Sequence, residues 1–129
     1  MKCRFCQIIA SDNKNIILQN SEFVALSDAA PACKGHTIII PKKHIVSFFD
    51  LKSDEVGKMY EFILNVKKIL NKKYKPAGYN IGVNEGRAAG RSIDHLHIHI
   101  MPRYLGDANI VRGGIRNIFN KNIAPYEEK

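Results

Sequence analysis

Apolar and polar positions change period several times along the chain, and each change marks an element. The first ten residues, Met1 to Ala10, suggest one short helical turn carrying Cys3 and Cys6. Ile16 to Gln19 and Glu22 to Asp28 read as two short strands around a turn at Asn20-Ser21. A loop marked by Pro31 and Gly35 leads into Gly35-His36-Thr37-Ile38-Ile39-Ile40-Pro41, a β-branched run closed by proline. Ser53 to about Lys73 is the clearest helix. Ser53 is placed to cap it, Asp54 and Glu55 fill its positive first turn, and lysines crowd its end. Val56, Met59, Tyr60, Ile63, Val66 and Leu70 recur at helical spacing and form the expected core-facing stripe. Pro76-Ala77-Gly78 breaks that pattern, and Tyr79 to Val83 alternates as a strand. After a glycine-rich loop from Asn84 to Gly90, Ile93 to Met101 alternates strictly. Several strands with one dominant helix predict an α+β fold on a largely antiparallel sheet. From Leu105 onward the pattern is mixed, and Gly113-Gly114 interrupts any regular element.

Composition narrows the class. A chain of 129 residues has room for one domain, and 45% hydrophobic with 25% charged residues is a globular balance. No apolar run reaches the roughly 20 residues that a membrane-spanning helix needs. The apolar stretch at the N-terminus is too short for a secretory signal. Three cysteines, two of them three positions apart, argue against a secreted disulfide framework, so a cytoplasmic protein is expected. Twenty Lys and Arg against twelve Asp and Glu leave a net charge of +8, which attracts nucleic acid, acidic membranes or phosphorylated metabolites without choosing among them. Lys67, Lys68, Lys72 and Lys73 are expected on a solvated helix face.

The informative chemistry is in the alternating run. On a strand, His95, His97 and His99 share one face, and Leu96, Ile98 and Ile100 share the other. The apolar trio is explained as core. Three half-buried imidazoles are not, because unpartnered polar rings cost free energy there. Two chemistries fit: a metal cluster, or phosphate chemistry with one ring as nucleophile. Asn84-Glu85-Gly86-Arg87-Ala88-Ala89-Gly90-Arg91-Ser92 lies just upstream, with backbone amides, a hydroxyl and two guanidinium groups suited to phosphate oxygens. Cys3-x-x-Cys6 admits a redox pair, an accidental pair of thiols, or half of a metal site. The redox reading is the poorest, because such a pair usually follows a strand and opens a long helix.

His95-Leu96-His97-Ile98-His99-Ile100-Met101 resembles the motif of the histidine triad (HIT) superfamily of nucleotide hydrolases and transferases. The resemblance extends through the segment from Gly35 to His44, with its Pro41-Lys42-Lys43-His44, and through Asn84-Glu85-Gly86. It implies one domain over residues 1–129, with a core of about 3–104 and a C-terminal tail of 105–129. The implied fold is HIT-like, an antiparallel sheet of about five strands with one long helix and a short N-terminal helix. The implied reaction is cleavage at the α-phosphate of an adenine nucleotide. His97 would attack phosphorus and form a covalent nucleotidyl-histidine, and His99 would serve the phosphoryl or leaving-group side. Asn84 and Ser92 resemble phosphate contacts, and Asp28 resembles the acid that receives the ribose hydroxyls. Phe5, Ile8, Leu26 and Ile38 match apolar positions around the base. His36 matches a histidine that supports the triad from beneath.

The same resemblance implies a structural zinc ion held by Cys3, Cys6, His44 and His95, leaving His97 metal-free. It also implies a homodimer acting on a purine nucleotide; neither a membrane nor a nucleic-acid partner is expected. Arg91 departs from the glutamine that many members carry, and its charge suggests a taste for longer phosphate chains such as diadenosine polyphosphates over phosphoramidates. The rival readings are a nucleotide-binding or sensing module with little turnover, a phosphorylase of diadenosine polyphosphates, and a metallohydrolase using all three histidines. The complete triad favours an enzyme, because binding alone does not need a nucleophile.

Overall fold

Two neighbouring segments, Phe23–Ser27 and Thr37–Pro41, are apolar at nearly every position, so both their faces must be covered, and the fold follows from that demand. The structure is a computed structural model and describes residues 3–11 and 13–119. Its elements are helix α1 (Arg4–Ile9), strands β1 (Ile16–Gln19), β2 (Phe23–Ser27) and β3 (Thr37–Pro41), helix α2 (Ser53–Tyr74), and strands β4 (Gly78–Gly82) and β5 (Ile98–Arg103). Short 3₁₀ turns occupy Phe48–Asp50, Arg87–Ala89 and Gly114–Ile118. The last ten residues of the tail, 120–129, lie outside the described residues. The sheet runs β1-β2-β3-β5-β4 with every neighbouring pair antiparallel. The α+β expectation of about five strands, one long helix and one short one is met.

Local chemistry sets the connections. Between β1 and β2 the Asn20 side-chain oxygen accepts the amides of Glu22 and Phe23 at 2.8 Å each, which makes the expected turn. Gly35 enters β3 at φ +85°, and a Cβ there would meet the Tyr74 ring at 2.9 Å, so only glycine fits the approach to α2. Period two then divides the sheet's side chains. Phe23, Ala25, Ile39, Ile98 and Ile100 pack with Met59, Phe62, Val66 and Leu70 of α2. Val24, Leu26, Ile38 and Ile40 pack with Cys3 and Phe5 on the other face, under α1. Among the described residues no helix is long and apolar enough to cross a membrane.

Three expectations need correction. The cap of α2 is Lys52 rather than Ser53, whose backbone is already helical; Glu55 accepts the Lys52 amide at 3.0 Å. The core stripe of α2 is Met59, Phe62, Val66 and Leu70, with Ile63 at its margin. Val56 and Tyr60 are 38% and 58% exposed. Tyr60 sits about 100° around the helix from Met59, which turns it out of the seam. Finally, β5 begins only at Ile98, not at Ile93. The preceding residues leave the ladder, and the Leu96 amide bonds the Ile45 carbonyl at 2.6 Å instead. The alternation survives this departure: Leu96, Ile98 and Ile100 are all buried in the core shared with α2.

The corrected stripe has a measurable consequence. Leu70→Ala should cost about 2–5 kcal/mol by leaving a cavity against the sheet. Tyr60→Ala should stay within about 0.5 kcal/mol, as expected for an exposed position. Urea denaturation of both variants checks the assignment, and equal losses would contradict it.

Candidate active site and metal centre

The three triad histidines lie on the α1 side of the sheet, and each meets a different set of partners. His95 is fully buried. Its Nε2–H donates to the Pro41 carbonyl at 2.8 Å, and a carbonyl can only accept. Nδ1 therefore keeps its lone pair and faces Cys3 Sγ at 3.3 Å and Cys6 Sγ at 3.5 Å. Cys6 Sγ lies 3.3 Å from His44 Nδ1, and the four ligand atoms all fall within 4.8 Å of one another. Zinc bonds of about 2.3 Å to sulfur and 2.0–2.1 Å to nitrogen put neighbouring ligands of a tetrahedron about 3.5 Å apart. The donor set fits a single metal ion, and a Cys₂His₂ set is one that zinc favours. Burial, then the adjoining Cys3, push the Cys6 thiol above its ordinary pKa, a cost to the thiolate that a bound divalent cation would offset. Cys33 stands apart from this group, half-buried, and its thiol is also pushed up by burial.

His97 is the next residue on that side. Its Nδ1–H donates to the His95 carbonyl at 2.9 Å, which leaves Nε2 as the lone-pair nitrogen. The Phe5 ring makes T-shaped contacts with this ring, centroids 5.0 Å apart, and with His95, centroids 5.9 Å apart. Phe5 belongs with Leu26 and Ile38 to the apolar cluster under α1, and Ile8 packs at its margin, so the four expected base-contact residues come together.

His99 and His36 form a second group with Asp28. His36 Nε2 lies 2.9 Å from His99 Nδ1, and the Asp28 carboxylate lies 3.4 Å from His36 Nε2 and 3.9 Å from His99 Nδ1. Burial lowers the pKa of His36, against the pull of Asp28. Burial, joined by the rings of His97 and His36, lowers that of His99. Both rings are therefore held neutral near pH 7. Among the described residues, His99 Nε2 is a buried polar atom with no hydrogen-bond partner.

The glycine-rich loop leaves the sheet beside the triad, since Gly82 pairs with His99. Asn84 and Ser92 lie exposed on it. Arg91 does not point freely into solvent, its side chain being only 16% exposed. Its guanidinium contacts Asp94 at 3.2 Å and Glu85 at 3.4 Å, and Arg87 contacts Asp94 at 3.0 Å. Glu85 also accepts the Phe48 amide at 2.7 Å, which ties the loop to the Phe48–Asp50 turn. Sequence reasoning missed these carboxylate partners, because spacing along the chain carries no information on which cation a loop acid meets.

Comparison with known proteins agrees with this geometry. A model of the HIT domain matches residues 10–106. An uncharacterized HIT-like protein of Methanocaldococcus jannaschii is 39% identical over 90% of this chain and 91% of its own length. An adenosine 5'-monophosphoramidase of Schizosaccharomyces pombe is 33% identical over 80% of this chain and 75% of its own. Among solved structures, a Zn-bound histidine triad family protein from Mycobacterium smegmatis superposes with a TM-score of 0.75 at 31% identity. That match covers 85% of this chain and 81% of that one.

The loop anchor should be visible in a pH series. The Phe48 amide, then Ser47 and Arg91, hold the Glu85 carboxyl below its ordinary 4.5. A lowered native pKa stabilises the fold fully above 4.5, and the contribution is lost as pH falls through the native value. Melting curves of wild type and Glu85→Gln should therefore differ at neutral pH and converge under acid. A gap that is unchanged by pH would contradict the anchor.

Proposed function

This chain belongs to the HIT domain family, and on that premise we propose that it is a nucleotidyl hydrolase or transferase acting on adenine nucleotides. The observation that carries the reading is the His97 ring, whose Nδ1–H is held by the His95 carbonyl while Nε2 keeps its lone pair. A neutral imidazole in that state is a nucleophile at neutral pH. Its Nε2 attacks the α-phosphorus, a P–N bond forms, and the bond from phosphorus to the leaving group breaks. Water then adds to the nucleotidyl-histidine, releasing the nucleoside monophosphate and restoring the ring. His99, with its buried and otherwise unpartnered Nε2, serves the phosphoryl or leaving-group side.

Phe5, Ile8, Leu26 and Ile38 bound the base, Asp28 takes the ribose hydroxyls, and Asn84 and Ser92 contact the phosphate. Arg91, already paired with Glu85 and Asp94, steadies the loop and lends no support to a preference for longer phosphate chains. Dinucleoside polyphosphates and phosphoramidates both remain within the proposed class. The phosphoramidase activity named for the S. pombe relative supports the second. We further propose a structural zinc ion on Cys3, Cys6, His44 and His95, which pins α1 to the sheet and supplies no step of the reaction. A cytoplasmic homodimer without nucleic-acid partners completes the reading.

Two experiments test it. Rapid quenching with a labelled adenylyl donor should leave label on His97, and His97→Ala should lose about 10⁴-fold or more in kcat. Product formation without labelled protein would overturn the covalent mechanism, and tight nucleotide binding without turnover would favour the sensing module. Metal analysis should find about one zinc per chain, lost in Cys3→Ser and retained in Cys33→Ser. A metal-free preparation with full stability would remove the zinc proposal.

A further inference from the structure

We infer that the main-chain amide of Ala32 is a positioning group that fixes the direction of the protons on His36 and His99 and keeps metal ions off that pair. The catalytic meaning of this inference rests on the function proposed above, but the placement of the protons does not.

The Ala32 N–H lies 3.0 Å from His36 Nδ1, and an amide can only donate. Nδ1 of His36 is therefore the lone-pair nitrogen, and the neutral ring carries its proton on Nε2. That N–H has two acceptors near it. His99 Nδ1 is at 2.9 Å, whereas Asp28 Oδ2 is at 3.4 Å, beyond the usual range of about 2.7–3.2 Å. The proton goes to His99 Nδ1, with Asp28 alongside as an electrostatic support. His99 in turn must carry its own proton on Nε2, the buried atom that has no partner among the described residues. A donor is thus left at His99 Nε2 by a chain of bonds whose direction is set at its far end by the backbone. His99 is built to give a proton to an oxygen or a leaving nitrogen, and not to take one.

The same wiring distinguishes two clusters that look alike. Asp28, His36 and His99 bring ligand atoms as close together as those of Cys3, Cys6, His44 and His95. His36 could ligate through Nε2 only after losing the proton there. With Nδ1 occupied by the Ala32 amide, the ring would become an imidazolate, or would take a proton on Nδ1 and face that amide donor to donor. At His95 the backbone group is the Pro41 carbonyl, which holds one ring proton and frees the other nitrogen as a ligand. A carbonyl beside the imidazole leaves the other ring nitrogen with a free lone pair, and an amide beside it leaves the other nitrogen carrying the proton.

The test uses the full chain loaded with zinc and labelled with ¹⁵N-histidine. Long-range nitrogen–proton spectra at neutral pH should report the Nε2–H tautomer for both His36 and His99, and an Nδ1–H tautomer at His99 would overturn the inference. Titration with Co²⁺ should add no further visible cobalt absorbance in the wild type, and uptake of one more equivalent would also overturn it. Replacing Ala32 by lactic acid, which turns the N–H into an ester oxygen at nearly constant shape, should let the His99 tautomer mix and admit one equivalent of Co²⁺. An unchanged tautomer and no uptake in that variant would show that Ala32 does not set the direction. Ala32→Pro offers the same loss of a donor by simple mutagenesis. Failure of nucleotide turnover with the expected tautomers would count against the proposed function and leave the proton placement standing.

Discussion

A neutral imidazole has one donor nitrogen and one acceptor, and in this fold the main chain decides which is which. Pro41 and His95 offer carbonyls to His95 and His97, so one of those rings presents Nδ1 and the other presents Nε2 as a lone pair. Three rings of the same residue type, two positions apart, thereby acquire different chemistry without any change in side chain. The ligand, nucleophile and donor roles proposed for these rings rest on three different backbone partners, and no imidazole pattern alone divides them. An error in one of these bonds would exchange a lone pair for a proton at the nitrogen that the proposed reaction uses.

The sheet makes this division possible through the relation of β3 to the histidine run. His36 stands just before β3 and Pro41 at its end, while β5 lies antiparallel beside it with Ile38 opposite His99. The start of β3 therefore faces His99, and its end faces His95. One strand pair thus separates a cluster that fits metal from the hydrogen-bonded group of His36, His99 and Asp28. Because β3 is buried at every position, neither end can shift without exposing Ile39 or Ile40. Core packing holds the backbone groups still, and the backbone groups hold the protons.

How much of this was legible in the sequence follows from what each signal measures. Alternation reports which face a residue takes, so Leu96, Ile98 and Ile100 were placed in the core, with the histidines opposite, although the regular strand starts only at Ile98. Helical periodicity located α2 but was ambiguous about its seam. Val56 and Tyr60 satisfied the spacing as well as Phe62 does, and the sheet's position chose between them. Cys3-x-x-Cys6 by itself offered only half of a metal site; His44 and His95 were added by the family resemblance, and the structure brings all four together. The partners of Arg91 and the amide of Ala32 were not readable. A loop cation meets whichever acid the turn brings to it, and a backbone N–H leaves no trace in residue type.

Helix α1 joins the two halves of the site. At six residues it is too short to be stable alone, and its support comes from the Cys3 thiol that caps the Cys6 amide and from burial of Phe5. Cys3 and Cys6 bracket Phe5, and the Phe5 ring packs in T-shaped contact with both His95 and His97. A metal ion bound to those thiols would fix Phe5 against the His97 ring. Loss of that anchor would free Phe5 first, because the apolar cluster beneath α1 is smaller than the core under α2. The position of His97 would change less, since its orienting carbonyl belongs to a segment held by the Leu96 bond to Ile45. On the proposed function, binding of the base and reactivity of the ring would therefore be supported by different parts of the chain. A metal at the Cys₂His₂ group would be coupled to the first more strongly than to the second.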